Sequence, residues 1–400
     1  MKDLYHAFLK RLAHFQIEHP YLVFLFLIAL TVAIFGGVSQ VRTVASLEQM
    51  MPKDIEEIKA FHTLRDNHLG QDIIAVIIEI DRDSTDVNGI IDIRDKQVYT
   101  YLEHLKTLLQ SEPDIIETYA YSDIINIVSP QGFSEKQYYE LVQNPAVVER
   151  LEQYINDDKT ITILMARTDV SADDERMTLL SSAVKDLVDR AGHPPGIKIS
   201  FTGTPIIQQR LGELISHDRQ NTAWISTVLV FIITMIIFGT FSSALVPIII
   251  VTLSVNWLYG TMGYTGLPIS TLAGGVAAMV IGIGIDFAIH IMNKFKYERK
   301  KGMNIAHSIE CAVVETGTAL TASSMTTIAA FLAFLFGTMP EMGRFGLLMA
   351  IGITYALIFS LFGLPALLII EEKLIYWLKR KMRFGLEGEF SLEKKGGRNA

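Results

Sequence analysis

The sequence predicts a membrane α-helical bundle of six transmembrane helices, with an α+β ferredoxin-like exterior domain inserted between helices 1 and 2. Three observations carry this reading. Half of the 400 residues are hydrophobic and the mean hydropathy is +0.32, a balance that belongs to membrane proteins with room for one sizeable water-exposed domain. Six apolar runs, roughly 20–38, 222–239, 243–262, 269–293, 312–338 and 345–370, are each long enough to cross a bilayer at about 1.5 Å per residue. Between the first two lies the stretch 40–220, whose patterning alternates between strand and helix periods.

Residues 1–19 form an amphipathic lead-in, with Leu4, Phe8, Leu12 and Phe15 at helical spacing and Lys10 and Arg11 between them. This predicts a helix lying on the membrane surface. Residues 20–39 make the first transmembrane helix. A basic pair before it and small residues after it, Gly36-Gly37-Val38-Ser39, also suit a cleaved signal, but the run from Tyr21 to Val38 exceeds a typical signal core and reads as a retained anchor.

In the exterior domain, 72–80 is β-branched and apolar, 95–110 is helical, and 115–128 is strand-like with a break near Ser122-Asp123. Segment 134–154 is helical with a bend at Pro145, 160–168 alternates as a strand, 173–191 is an amphipathic helix capped by Asp173 or Asp174, and 197–202 closes as a strand. Two β-α-β units with an extra helix between them give the split ferredoxin-like pattern. His62, His68 and the Asp residues of 81–95 lack metal-ligand spacing and read as solvated surface; Asn88-Gly89 is a turn. Phe201-Thr-Gly-Thr-Pro205 leads from the last strand into an amphipathic helix, 206–221, that continues into the second span. Gly203 permits a positive φ and Pro205 opens the helix, which makes the pair a candidate joint between domain and membrane.

Residues 221–371 hold helices 2–6, and 372–400 form a basic cytoplasmic tail. Basic residues cluster before the first span (Lys2, Lys10, Arg11), after the fourth (Lys294, Lys296, Arg299, Lys300, Lys301) and after the sixth (Lys373, Lys379, Arg380, Lys381, Arg383). With six spans all three clusters fall on one side, so both termini are expected in the cytoplasm of a cell membrane and 40–220 outside. The net charge of −8 gives no reason to propose nucleic-acid binding. A single cysteine, Cys311, excludes an intramolecular disulfide.

The chemistry-bearing stretch is Gly282-Ile-Gly-Ile-Asp-Phe-Ala-Ile-His290 in the fourth span. Its carboxylate, Asp286, is costly there by about 2.5–3.5 kcal/mol on insertion scales, and the default reading of such a group is functional. Asp286 and His290 are i,i+4 on one helix face, with Gly282 one turn earlier on the same face and Gly284 nearby, so a neighbouring helix is expected to approach a titratable pair closely. The fifth span carries Thr316-Gly-Thr-Ala-Leu-Thr-Ala-Ser-Ser-Met-Thr-Thr327. Such a run suits close packing, back-bonding to i−4 carbonyls, or a hydroxyl-lined face able to relay protons beside Asp286 through Thr326 and Thr327. Glu315 is expected to snorkel at a helix end, and Glu341 and Arg344 to pair on the surface of a short outer turn.

These motifs, with one span before and five after an exterior domain, resemble the resistance-nodulation-division (RND) superfamily, and most closely its MMPL and hopanoid-exporter-like branch, related to the sterol-sensing domain. The resemblance runs from the first span to about Ile370. It implies a porter-type exterior domain, a proton taken and released at the aspartate matching Asp286, and a hydrophobic or lipid-like substrate. The tyrosine that commonly follows that aspartate is Phe287 here, which leaves His290 or the fifth-span hydroxyls to supply its hydrogen bond. Full-length relatives fuse two such halves, so a homodimer is implied, with a trimer as the next option. A lipid- or sterol-sensing module that does not pump, and an accessory subunit of protein export, are rival readings. The protein-export reading is disfavoured by Gly-Ile-Asp-Phe where an Asp-Arg motif is expected. No nucleophile–base set, zinc spacing or phosphate loop suggests an enzyme, and no cofactor or metal is implied.

Overall fold

The computed structural model describes residues 2–43, 51–52, 54–67, 72–82, 90–168, 170, 175–270 and 272–377. The chain divides into two compact units, Met1–Val44 with Ile215–Ala400, and Ala45–Leu214.

The first unit holds α1 (Lys2–Glu18), α2 (Pro20–Phe35), the membrane part of α9 (Thr204–Phe238), α10 (Phe241–Thr265), α11 (Val276–Lys300), α12 (Ile305–Cys311), α13 (Gly317–Leu332) and α14 (Pro340–Ile358). Among the described residues six helical stretches are long and apolar enough to cross a membrane: Pro20–Gln40, Thr204–Phe238, Phe241–Thr265, Ala273–Lys300, Ile305–Phe336 and Pro340–Trp377. The fourth begins later than hydropathy suggests because Ile269 is extended, its N–H donating to the Arg42 carbonyl at 2.8 Å beside the bridge from Thr43. It also ends later. The basic residues from Lys294 stay helical, since Lys294 pairs with Glu298 at 3.0 Å and Glu315 at 2.7 Å, and the turn comes only at Gly302. Glu315 therefore has a specific cation and does more than snorkel.

Two π-helical turns interrupt the last spans, Ala312–Thr316 and Phe359–Gly363. The first helix is built around them. Leu9, Ala13 and Gln16 are fully buried, and Gln16 Nε2 donates to the carbonyls of Leu361 and Phe362 at 2.8 and 3.2 Å. The surface-lying helix expected for 1–19 is thus docked along one face into the bundle, because a π turn leaves carbonyls for a side chain to satisfy.

The second unit contains α3 (Glu56–Asp66), β1 (Asp72–Ile80), α4 (Lys96–Leu109), β2 (Ile115–Ala120), α5 (Tyr121–Val128), α6 (Glu135–Gln143), α7 (Pro145–Leu151), β3 (Ile161–Thr168), α8 (Glu175–Ala191) and β4 (Ile197–Thr202). The sheet is antiparallel in the order β2-β3-β1-β4, so each β-α-β unit holds a strand of the other between its own two. Ile74, Val76, Ile78, Leu164 and Ala166 form its covered face, together with Leu102, Leu105 and Val184 from the helices. Segment 115–128 is not one broken strand. It is strand then helix, because Asp123 Oδ2 accepts the Ala120 N–H at 2.8 Å and caps α5. The bend at Pro145 is a full break, with Asn144 ending α6 and its side chain accepting the Ala146 N–H at 3.0 Å to start α7. Asp173, Asp174, His68, Asn88 and Gly89 lie outside the described residues, as does the His62 side chain.

Asp92 and Arg94 lock the segment before α4. Arg94 donates to Asp92 from its backbone, from Nε and from Nη2 at 2.6 Å, and its Nη1 reaches the Val142 carbonyl at 3.0 Å. Burial opposes the Asp92 charge, yet the Arg94 hydrogen bonds and charge outweigh it and hold the carboxyl below its ordinary 3.8. A depressed folded-state pKa contributes stability that is present above the unfolded value and lost as pH falls through the folded one. Asp92→Asn is therefore expected to cost about 1 kcal/mol near neutrality, discounted for the partial exposure of Asp92, and to flatten the stability loss below about pH 4. Denaturant midpoints of the full chain in detergent between pH 3 and 7 measure this; a midpoint difference that persists unchanged at pH 3 contradicts it.

Candidate functional site

The α11 helix buries Val280, Ile281, Gly284, Ile285, Phe287, Ala288, Ile291 and Met292 in the bundle. Gly284 is the close-approach position: a Cβ there would lie 3.0 Å from the Ala356 Cβ and 3.3 Å from Val251. Phe287 points into the core, 6% exposed, on a different face from the carboxylate it follows. Gly282 lies open, with nothing within 4 Å of a Cβ added to it.

Met279, Gly282, Asp286, His290, Asn293 and Tyr297 are all exposed. At spacings of three and four they make one continuous stripe. Among the described residues no hydrogen bond or ion pair reaches Asp286 or His290. Among the described residues none supplies the close neighbour that Gly282 was expected to admit. Asn293 and Tyr297 escaped the sequence reading, although the same spacing carried one and two turns past His290 reaches both.

The fifth-span hydroxyls divide into two groups. Thr326 and Thr327 donate to the Ser323 carbonyl at 2.7 and 3.1 Å, so they back-bond and do not touch Asp286. Thr318 and Thr321 also donate to carbonyls one turn back, and Thr321 meets the Tyr5 hydroxyl at 2.6 Å. Ala319, Ala322, Ser323, Thr326 and Ala330 leave a small-residue face exposed on α13, the type of surface on which helices pack closely in membranes. Lys294 and Glu315 tie α11 to the helix leading into α13.

In the other unit Gly203 has φ +118°, and a Cβ there would fall on the Ile73 carbonyl oxygen. Only glycine lets the chain leave β4 this close to β1. Pro205 sits in the first turn of α9, where its missing N–H costs nothing. Among the described residues no cluster of His, Cys, Asp or Glu could hold a metal ion.

Glu341 departs most from expectation. It is 2% exposed and neither carboxylate oxygen has a hydrogen-bond partner, so the surface pair with Arg344 is absent. Pro340 starts α14 in a way that turns Glu341 inward with Gly343 and Gly346, a consequence of packing that residue spacing does not show.

A family model described as the MMPL family matches residues 41–385. The chain belongs to the MMPL family. The putative membrane protein MJ1562 of Methanocaldococcus jannaschii is 31% identical over 381 residues, covering 94% of this chain and 97% of that protein. The trehalose monomycolate exporter MmpL3 of Mycolicibacterium smegmatis is 25% identical over 214 residues, 48% of this chain but 21% of the exporter. Among solved structures, the hedgehog release protein Disp of the water bear Hypsibius dujardini matches with a TM-score of 0.60 at 10% identity, over 92% of this chain and 50% of that one. At that identity the likeness is one of fold alone. The MMPL chain described here is thus similar in length to its archaeal relative and spans half or less of the other two.

A carboxylate buried without a partner is a cost that a similarly long apolar side chain removes. Glu341→Met is expected to raise the thermal midpoint by a few degrees, equivalent to about 1–2 kcal/mol. Thermal unfolding in detergent measures it, and a lowered midpoint would show that Glu341 has a partner which holds α14 in place.

Proposed function

We propose that this MMPL protein is a proton-coupled membrane transporter for a hydrophobic or lipid-like substrate, working as a homodimer in the cell membrane. The carrying observation is the polar stripe centred on Asp286. A carboxylate in the middle of a span, exposed on its own bundle and without a partner, calls for a second protein surface. A second copy provides one about a two-fold axis, bringing two Asp286 residues and the small face of α13 together. Relatives that contain more than twice this length support that reading, and the exporter MmpL3 supports the substrate class.

In this scheme both termini and the Lys294–Lys301 end face the cytoplasm, and residues 40–220 form the exterior porter domain. Asp286 takes up and releases the proton. When protonated it donates to His290 or to a hydroxyl oxygen of Thr326 or Thr327, whose back-bonds use the hydroxyl hydrogen and leave the oxygen free to accept. When ionised it draws on water or on charged His290. The two states favour different packing at the stripe, and the change passes to the porter domain through Gly203 and Pro205. The lipid-sensing reading gives Asp286 no proton to carry, and the protein-export reading is disfavoured by Gly-Ile-Asp-Phe where an Asp-Arg motif is expected.

Asp286→Asn keeps the shape of the protonated form. The variant is expected to fold, to remain dimeric by mass measurement in nanodiscs, and to lose transport driven by an imposed proton gradient by at least about 100-fold. Wild-type transport of a lipid substrate by this variant in vesicles would remove the proton-carrying role and favour the sensing module; a trimeric or monomeric active particle would remove the dimer.

A further inference from the structure

The first helix is amphipathic on two counts. Its inner face, Leu9, Ala13 and Gln16, is buried in the bundle, while Leu4 and Phe8 remain 78% and 51% exposed. The 2.6 Å bond between the Tyr5 and Thr321 hydroxyls, and Thr318 Oγ1 lying 3.4 Å from His6 Nδ1, fix α1 against α13. Beside these bonds the two helices leave an open groove of about 930 Å³. Its walls are chiefly apolar, with Leu4, Phe8, Ala322 and Met325 along them, and Arg11 is the single charged residue lining it. A second groove of about 520 Å³ shares Ala7 and Arg11 with the first and is also chiefly apolar, with Lys10, His14 and Glu18 among its lining residues.

Arg11 is thus the one charged residue that lines both grooves. Among the described residues it has no ion-pair or hydrogen-bond partner, whereas Lys10 beside it is held by Glu310 at 3.0 Å. The Lys10–Glu310 and Lys294–Glu315 pairs bring α1 to the same end of the bundle as the Lys294–Lys301 cluster. That is the headgroup level, where basic residues attract anionic lipid.

We propose that the groove between α1 and α13 is a binding site for an anionic phospholipid, with its phosphate at Arg11 and an acyl chain along Leu4, Phe8 and Met325. A free anion has no use for the apolar trough, and a zwitterionic lipid brings a phosphate whose charge its own ammonium already balances. A phosphate joined to an acyl chain matches both parts. The volume is in the range of about 300–1,000 Å³ usual for small-molecule sites. The groove uses the Thr318, Thr321, Ala322 and Met325 side of α13. Ala322 belongs to both surfaces, while the rest of the exposed small face, Ala319, Ser323, Thr326 and Ala330, is centred roughly a third of a turn away at 3.6 residues per turn, so the lipid and a second copy share only that edge.

The test is native mass spectrometry of the full chain released from nanodiscs containing equal phosphatidylglycerol and phosphatidylcholine of identical acyl chains. Wild type is expected to retain phosphatidylglycerol about fivefold over phosphatidylcholine, the ratio corresponding to one phosphate–Arg contact. Arg11→Gln should bring the ratio close to one, while Lys300→Gln, an exposed cation of the same basic end, should leave it unchanged. Equal retention of the two lipids by wild type, or equal loss of preference in both variants, overturns the site in favour of general surface attraction. An Ala7→Cys disulfide between two copies, formed in a Cys311→Ser background, would overturn it in favour of a second copy covering the groove.

Discussion

A carboxylate inside a bilayer needs a partner, and among the described residues of its own chain Asp286 has none. Much else in the membrane unit follows from that constraint. The buried face of α11 is apolar from Val276 to Phe295, with Gly284 thinned to let Ala356 and Val251 approach. Over that stretch its exposed polar groups, Asp286, His290 and Asn293, lie on one stripe, and the Thr326 and Thr327 hydroxyls of α13 are turned back to a carbonyl of their own helix. This division is the one expected when a polar surface is completed by assembly and not by the fold of one copy.

The two π turns are a second constraint on the same bundle. Each widens a helix and releases backbone carbonyls that hydrocarbon cannot satisfy. The fully buried Gln16 answers the one at Phe359–Gly363 from a different helix. Gly317, just past the other π turn, takes Leu361 and Leu9 against its bare backbone, where a Cβ would come within 2.8 Å of Leu361. The first helix, the fifth span and the sixth span thus share one contact. Burying Gln16 at that contact links the amphipathic lead-in to the bundle more firmly than its apolar face alone would, since freeing it leaves two carbonyls and the Nε2 group without partners.

How much of this was legible in sequence depends on whether a feature is local. The strands 72–80 and 197–202 could be read to the residue, because β-branched runs end at turn residues on both sides. So could the place of Asp286, since a lone carboxylate in an apolar run stands out without any tertiary knowledge. Tyr121–Val128 could not, as its apolar β-branched composition suits strand and helix alike and one capping bond from Asp123 decides. The fate of Glu341 was equally invisible: three-residue spacing from Arg344 suggests a surface pair, and only the packing of α14 turns the carboxylate inward. The Gln16 contact joins residues 345 positions apart, which no periodicity reports.

The same distinction bears on the site itself. Sequence grouped Gly282, Asp286 and His290 by spacing, but placed a neighbour against them that the described residues of a single copy do not supply. Spacing reports which residues share a face; it says nothing about whether that face is covered. Where the covered faces of a helix are apolar and the uncovered one carries its charge, as in α11 from Val276 to Asn293, the inversion is itself informative. A water-soluble helix shows it as ordinary amphipathicity. In a helix long and apolar enough to lie in lipid, the same arrangement exposes the costly groups to the poorer solvent, and the free energy that this would cost is available to drive association of two such faces.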